Sequence, residues 1–247
     1  STMVALEIGQ GLHAHIRHSS LGSHIFVAST LVSMYGKCKA ISEAQHAFMM
    51  LSQHDVVSWN VMLSAYVEQG QGKQALQLYV QMQRDGIAPD AMSFTVALQA
   101  CVALSGKEEY VHLNKGSIVL ELGLALHADA QVVGATSDAF VGNTLLSMYG
   151  KCGAIVEAEH VFHRISHHDT VSWNAMLSAY VDQNQGYKAL VLYRRLHKEE
   201  LIPDKHTFVF ALHACGIISK EKCNDSKDEY NDSREKSNDV NCFSMKE

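Results

Sequence analysis

Between Ser58 and Gln69 the apolar residues Trp59, Met62, Leu63, Tyr66 and Val67 return every three or four positions, the spacing that lines one face of a helix. Gly70 and Gly72 interrupt that pattern, and Ala75, Leu76, Leu78, Tyr79 and Met82 resume it between Lys73 and Arg84. Gly86 stands where a helix C-terminus favours a residue with positive φ, and Pro89 follows shortly after. The pattern predicts a helix–turn–helix unit of 35 residues, Val56 to Asp90. A shorter unit of 31 residues, Ile25 to Asp55, precedes it. Its two stripes are Leu31, Met34, Tyr35 and then Ile41, Ala44, Ala47, Phe48, with Gly36 at the turn region. A third unit, Ala91 to Asp138, is 48 residues long. Its first helix is expected at Phe94 to Leu104 and its second around Ile118 to Val132, with the polar stretch Ser105 to Lys115 inserted as a loop.

The arrangement then repeats. Adding 114 to a residue number between about 25 and 104 returns much the same residue. VVSWNVMLSAYVEQG at Val56 to Gly70 comes back as TVSWNAMLSAYVDQN at Thr170 to Asn184, identical at 11 of 15 positions. LVSMYGKC at Leu31 to Cys38 comes back as LLSMYGKC at Leu145 to Cys152. The tryptophans Trp59 and Trp173 and the prolines Pro89 and Pro203 keep the same offset. The offset places a second short unit at 139–169 and a second 35-residue unit at 170–204, where Glu200 replaces the capping glycine. Matching Leu12-His13-Ala14 to Leu126-His127-Ala128 makes 1–24 the second half of a further long unit, and 205–218 is the first half of another. Residues 219–247 are dominated by Lys, Glu, Asp, Asn and Ser and read as a disordered tail. No single hairpin can bury its apolar stripe without neighbours, so the fold class is all-α, an α-solenoid of stacked hairpins.

Composition changes this picture little. An apolar share of 47% suffices for a continuous core, and only two prolines leave the helices uninterrupted. The net charge of −6 argues mildly against indiscriminate binding to polyanions. Cys38, Cys101, Cys152 and Cys215 fall inside apolar patterns and read as small buried hydrophobes in a reducing compartment. No apolar run is long enough to span a bilayer, and STMVALEIGQGLHAH resembles neither a signal peptide nor an Arg-rich transit peptide. The chain opens in mid-pattern, as a fragment of a longer array would.

VSWN at Val57 to Asn60 and Val171 to Asn174, MYGKC at Met34 to Cys38 and Met148 to Cys152, FVGNTLLSMYGKCGAI at Phe140 to Ile155, and the GIAPD and LIPD endings carry a resemblance to a known family. Over about residues 1–218 the chain resembles plant pentatricopeptide-repeat proteins, specifically the subclass alternating long, short and standard repeats. The resemblance implies a right-handed superhelix that binds single-stranded RNA at roughly one base per repeat, read by a few side chains each. In the family, the fifth and the last residue of a repeat make most of the choice. Those positions are Ser29 and Asp55, Asn60 and Asp90, Asn143 and Asp169, and Asn174 and Asp204. By resemblance the Asn/Asp pairs favour uridine, less well cytidine, and Ser29/Asp55 leans to guanosine. Thr95/Asp138, in the long repeat, is left open. With the N-terminus toward the RNA 5′ end, the implied core is 5′-G-U-N-U-U-3′. The resemblance also implies a chloroplast or mitochondrial role in transcript processing or C-to-U editing, with editing or processing proteins as partners.

Plainer roles are available for several of these residues. Asp55, Asp90, Asp138, Asp169 and Asp204 each precede a helix and are candidate N-caps. The recurrent asparagines have no such explanation, since Asn is a mediocre helix former. Trp59 and Trp173 fit core packing better than base stacking. His13, His15, His167 and His168 lack the further ligands that a zinc site needs. No phosphate loop, nucleophile motif or His-x-Glu with Pro-Cys-x-x-Cys appears, so the chain is expected to be non-catalytic and free of cofactors. The alternative function is a helical scaffold that binds a protein partner.

Overall fold

The computed structural model describes residues 2–19, 21, 24–106, 116–199 and 201–220. Five of its helices begin where the aspartates stand. Asp55 accepts a hydrogen bond from the backbone N–H of Ser58, whose hydroxyl takes the N–H of Asp55 in return. This reciprocal box satisfies two donors that a helix start otherwise leaves orphaned. Asp90 with Ser93 and Asp169 with Ser172 do the same. Asp138 caps through the N–H groups of Phe140 and Val141, and Asp204 through those of His206 and Thr207. All five aspartates are therefore N-caps.

The chain divides into two compact units, Ser1–Ser166 and His167–Glu247. The first holds α1 (Thr2–Arg17), the hairpins α2 (Ile25–Lys37) with α3 (Ile41–Met49) and α4 (Val56–Glu68) with α5 (Gly72–Arg84), then α6 (Ala91–Ser105), α7 (Gly116–Val132), α8 (Ala139–Lys151) and α9 (Ile155–Arg164). The second holds α10 (Thr170–Asp182), α11 (Gly186–Lys198) and α12, residues 205–220. No strand occurs among the described residues. In the first unit the first helices of successive hairpins lie side by side: α2 against α4, α4 against α6, α6 against α8. Each also packs on its own second helix.

The predicted stripes form the core. Trp59, Met62, Leu63 and Tyr66 of α4 are buried, as are Ala75, Tyr79 and Met82 of α5. Trp59 meets Phe48 edge-on at 5.1 Å between ring centres, and Trp173 is equally buried, so both tryptophans are core residues. α6 is covered on nearly every side by α4, α5, α7 and α8, and Phe94, Ala97, Leu98, Ala100 and Cys101 are all but inaccessible. Full burial of one such large side chain contributes about 2 kcal/mol.

Three readings need correction. Gly36 is not at a turn; it lies inside α2, where an added Cβ would sit 2.9 Å from the Cβ of Ala65 on α4. The turn falls at Lys39, with φ of 61°. Gly72 does not break a helix but opens α5, where an added Cβ would be 2.7 Å from the carbonyl of Ala100. Gly186 meets the carbonyl of Ala214 in the same way, at 2.8 Å. These glycines are spacers for close helix approach, a role that composition does not separate from turn formation. Among the described cysteines only Cys101 is buried; Cys38 and Cys152 are half-buried, and Cys215 is exposed on α12.

Gly86 does cap as predicted, with φ of 77°. Ser105 ends α6, and the remainder of the inserted loop, 107–115, lies outside the described residues, as does Glu200. Residues 219 and 220 belong to α12; the rest of the polar tail also lies outside them. Among the described residues no helix is long and apolar enough to cross a membrane, and no three His, Cys, Asp or Glu side chains cluster as a metal site would require.

Candidate nucleic-acid interface

Asn60 is the fifth residue after Asp55, one turn before Leu63 on α4, and its side chain reaches toward the start of α6. Its amide Nδ2–H donates to Asp90 Oδ1 at 2.9 Å, and its Oδ1 accepts from the Ser93 hydroxyl at 2.7 Å. Asp90 Oδ1 also takes the Ser93 backbone N–H at 2.8 Å. The fifth and last residues of the 35-residue unit therefore form one hydrogen-bonded corner, closed by the third residue of α6. Asn60 is 7% exposed, whereas Asp90 reaches solvent and its Oδ2 accepts no hydrogen bond from the described residues. Burial works against ionisation of Asp90. The Ser93 N–H, the Asn60 amide and the Ser93 hydroxyl outweigh it and hold the carboxyl below the usual carboxylate range.

The second unit builds the same corner. Asn174 Nδ2–H donates to Asp204 Oδ1 at 2.9 Å and Asn174 Oδ1 accepts from the Thr207 hydroxyl at 2.7 Å. The Thr207 N–H above all, then Asn174, the Thr207 hydroxyl and His206, hold Asp204 well below the ordinary carboxylate value. The remaining candidates are placed differently. Ser29 is buried on α2, and no hydrogen bond joins it to Asp55 among the described residues. The Thr95 hydroxyl turns back to the carbonyl of Ala91 in its own helix, 2.8 Å away. Asn143 is half-buried on α8 in the first unit, and Asp169 caps α10 in the second.

An open groove of about 360 Å³ runs along α2, α4 and α6, lined among others by Lys37, Val57, Asn60, Ser64, Asp90 and Met92. The corner forms one wall of it. Val57 and Met92 are each 55% exposed, and they introduce a set that the sequence reading missed. The second residue of α2, α4, α6, α8 and α10 is apolar and exposed: Phe26, Val57, Met92, Phe140 and Val171; in α12 it is His206. The signal was in the sequence. Val57 and Val171 fall outside the core stripe of their helices yet are never polar. Exposed apolar and aromatic side chains beside a polar edge suit the flat face and the hydrogen-bonding edge of an unstacked base.

Residues 54–103 and 168–216 match the PPR repeat family model, and residues 143–169 match the PPR repeat model. A pentatricopeptide-repeat-containing protein of Arabidopsis thaliana, described as chloroplastic, is 35% identical over 203 residues, which cover 81% of this chain and 36% of the relative. A second from the same organism is 32% identical over 216 residues, 87% of this chain and 23% of the relative. The chain belongs to the pentatricopeptide-repeat family. A mitochondrial member from Arabidopsis thaliana is 31% identical over 210 residues, 85% of this chain and 19% of that protein. The chain thus spans no more than about a third of these relatives. Among solved structures, that of the pentatricopeptide repeat protein PPR10 in complex with an 18-nt psaJ RNA element superposes with a TM-score of 0.58. The match covers 90% of this chain and 37% of PPR10 at 19% identity, and it establishes a shared all-helical repeat fold.

Proposed function

We propose that this chain binds single-stranded RNA and reads bases with the corners between successive hairpins. The observation that carries the reading is the Asn60–Asp90–Ser93 corner, repeated at Asn174–Asp204–Thr207 and open to a groove flanked by exposed apolar residues. The first corner offers a spare amide N–H and a carboxylate oxygen, Asp90 Oδ2, that takes no hydrogen bond from the described residues; at the second, Asp204 Oδ2 lies 3.6 Å from His206 Nδ1. Uridine presents O4 as an acceptor and N3–H as a donor, a complementary edge; cytidine presents an amino donor in place of O4. In this reading Asn60/Asp90, Asn143/Asp169 and Asn174/Asp204 select uridine and Ser29/Asp55 selects guanosine, giving 5′-G-U-N-U-U-3′ over units 25–55, 56–90, 91–138, 139–169 and 170–204. These units are the short, standard and long repeats of the alternating subclass. The RNA bound by PPR10 and the organellar names of the relatives support a targeting role in chloroplast or mitochondrial transcript processing or C-to-U editing.

Fluorescence anisotropy with short RNAs at low salt tests this. A G-U-A-U-U oligomer should bind more tightly than an all-A oligomer, and Asn60→Ser with Asn174→Ser should weaken the difference. A folded protein that binds neither would turn the reading to a scaffold for a protein partner.

A further inference from the structure

We infer that Ser93 and Thr207, the third residues of α6 and α12, are specificity-positioning residues: each clamps the asparagine of the preceding hairpin so that its amide edge meets the base in one orientation. The inference rests on the RNA reading above and extends it to residues outside the fifth-and-last pair. Each hydroxyl has one proton and two acceptors in reach. For Ser93 these are Asn60 Oδ1 at 2.7 Å and Asp90 Oδ1 at 2.9 Å. Asp90 Oδ1 already accepts from the Asn60 amide and the Ser93 N–H, so the proton goes to the nearer Asn60 Oδ1. Thr207 makes the same choice, with Asn174 Oδ1 at 2.7 Å and Asp204 Oδ1 at 3.0 Å. Ser58 supplies the contrast. It occupies the same place in α4, but the preceding hairpin offers Ser29 instead of an asparagine, and its hydroxyl donates to the Asp55 carbonyl at 2.8 Å. In these corners the hydroxyl follows the asparagine.

The consequence is geometric. The bond from Asn60 to Asp90 alone fixes one point of the amide, which can still swing about that bond and turn Oδ1 into the groove. The Ser93 bond holds the other end and so fixes the plane. With both in place, the groove meets a donor from Asn60 and an acceptor from Asp90. With Ser93 removed, Asn60 Oδ1 loses its partner inside a site only 7% exposed and turns toward any donor available, the amino group of a cytidine included. Ser93 therefore acts on the choice between uridine and cytidine rather than on affinity as such.

The test compares G-U-A-U-U with G-C-A-U-U and G-U-A-U-C by anisotropy, in the full chain and in Ser93→Ala, Ser93→Thr, Thr207→Val and Ser58→Ala, each checked for helical content and melting. Ser93→Ala should lower the uridine-over-cytidine ratio at the second base about fivefold, the worth of one hydrogen bond, and leave the fifth base unchanged. Thr207→Val should do the reverse. Ser93→Thr restores the ratio, because Thr207 makes the same bond naturally. Ser58→Ala removes the equivalent hydroxyl where no asparagine faces it and should leave both ratios alone. A folded Ser93→Ala that discriminates as well as the parent, or that loses discrimination equally at both bases, overturns the inference while the RNA reading stands. A parent that binds no oligomer overturns both.

Discussion

Two corners of the first unit share a frame and differ in one side chain. At Asp55 and at Asp90 the same box starts a helix, with serine three residues on. At the first corner the preceding hairpin has Ser29 at the position equivalent to Asn60, and Asn60 reaches the second corner. Only the second corner extends its hydrogen bonds across the two hairpins. Capping is thus a scaffold shared by the helices that follow Asp55, Asp90, Asp138, Asp169 and Asp204, and the asparagine is a graft that turns a local cap into a contact between repeats. Selectivity can change at one position without disturbing the start of a helix.

Removing the aspartate from each corner gives the largest effect. Asp55→Ala loses a cap, about 1 kcal/mol. Asp90→Ala loses the cap and also strands the Asn60 amide, about 2 kcal/mol in all. Urea unfolding at pH 7 measures both midpoints. Equal losses would mean that the contact between hairpins adds nothing to stability. The converse graft, Ser29→Asn, should draw the Ser58 hydroxyl away from the Asp55 carbonyl. It should also shift the first base preference from guanosine toward uridine, by about fivefold in the ratio of affinities for G-U-A-U-U and U-U-A-U-U. An unchanged ratio would show that the asparagine needs more than this frame.

The frame was legible in the sequence and the graft's geometry was not. An aspartate followed three residues later by serine or threonine marks a capped start wherever it precedes an apolar stripe, and the stripes set helix limits to within a few residues. Gly36 and Gly72 were misplaced because glycine carries the same letter whether it bends a chain or lets two helices touch. Ser93 lies 33 residues beyond Asn60, and only the stacking of α4 on α6 brings them together. The exposed second residues were visible as letters but not as a surface, because an apolar residue beside a buried stripe is indistinguishable from core until the neighbouring helix is placed.

Acid separates the corner from the core. Burial, with Arg164 second, lowers the pKa of His127, whose Nδ1 lies 2.8 Å from the Tyr149 hydroxyl; burial likewise lowers His13, beside Tyr35. A lowered histidine contributes stability that is complete above the unfolded value of about 6.5 and is lost as pH falls through it. Asp90 is depressed, so its contribution is complete above the unfolded value of about 3.9 and disappears only below it. Melting temperature should therefore fall in two legs. His13→Asn with His127→Asn should flatten the first, and Asn60→Ala should shrink the second without touching the first. A change in the upper leg on replacing Asn60 would mean that the corner and the histidines are not independent.

Salt gives the smallest effect and probes what the corners must do unaided. Within α2, α4, α6, α8 and α10 the formal charges are Lys37, Glu68, Lys151 and Asp182, so these helices offer two basic side chains beside the capping aspartates of the corners. Each phosphate neutralised on a single strand adds about 0.7 to the slope of log affinity against log salt, so two lysines support a slope of about −1.4. Lys37 lines the same groove as Asn60, and Lys37→Gln should reduce the slope by about 0.7 while leaving the uridine preference intact. A slope of about −4 or steeper would place most of the binding on basic residues elsewhere in the chain. A shallow slope leaves the base edges to supply the affinity, and losing one asparagine then weakens binding as well as selectivity.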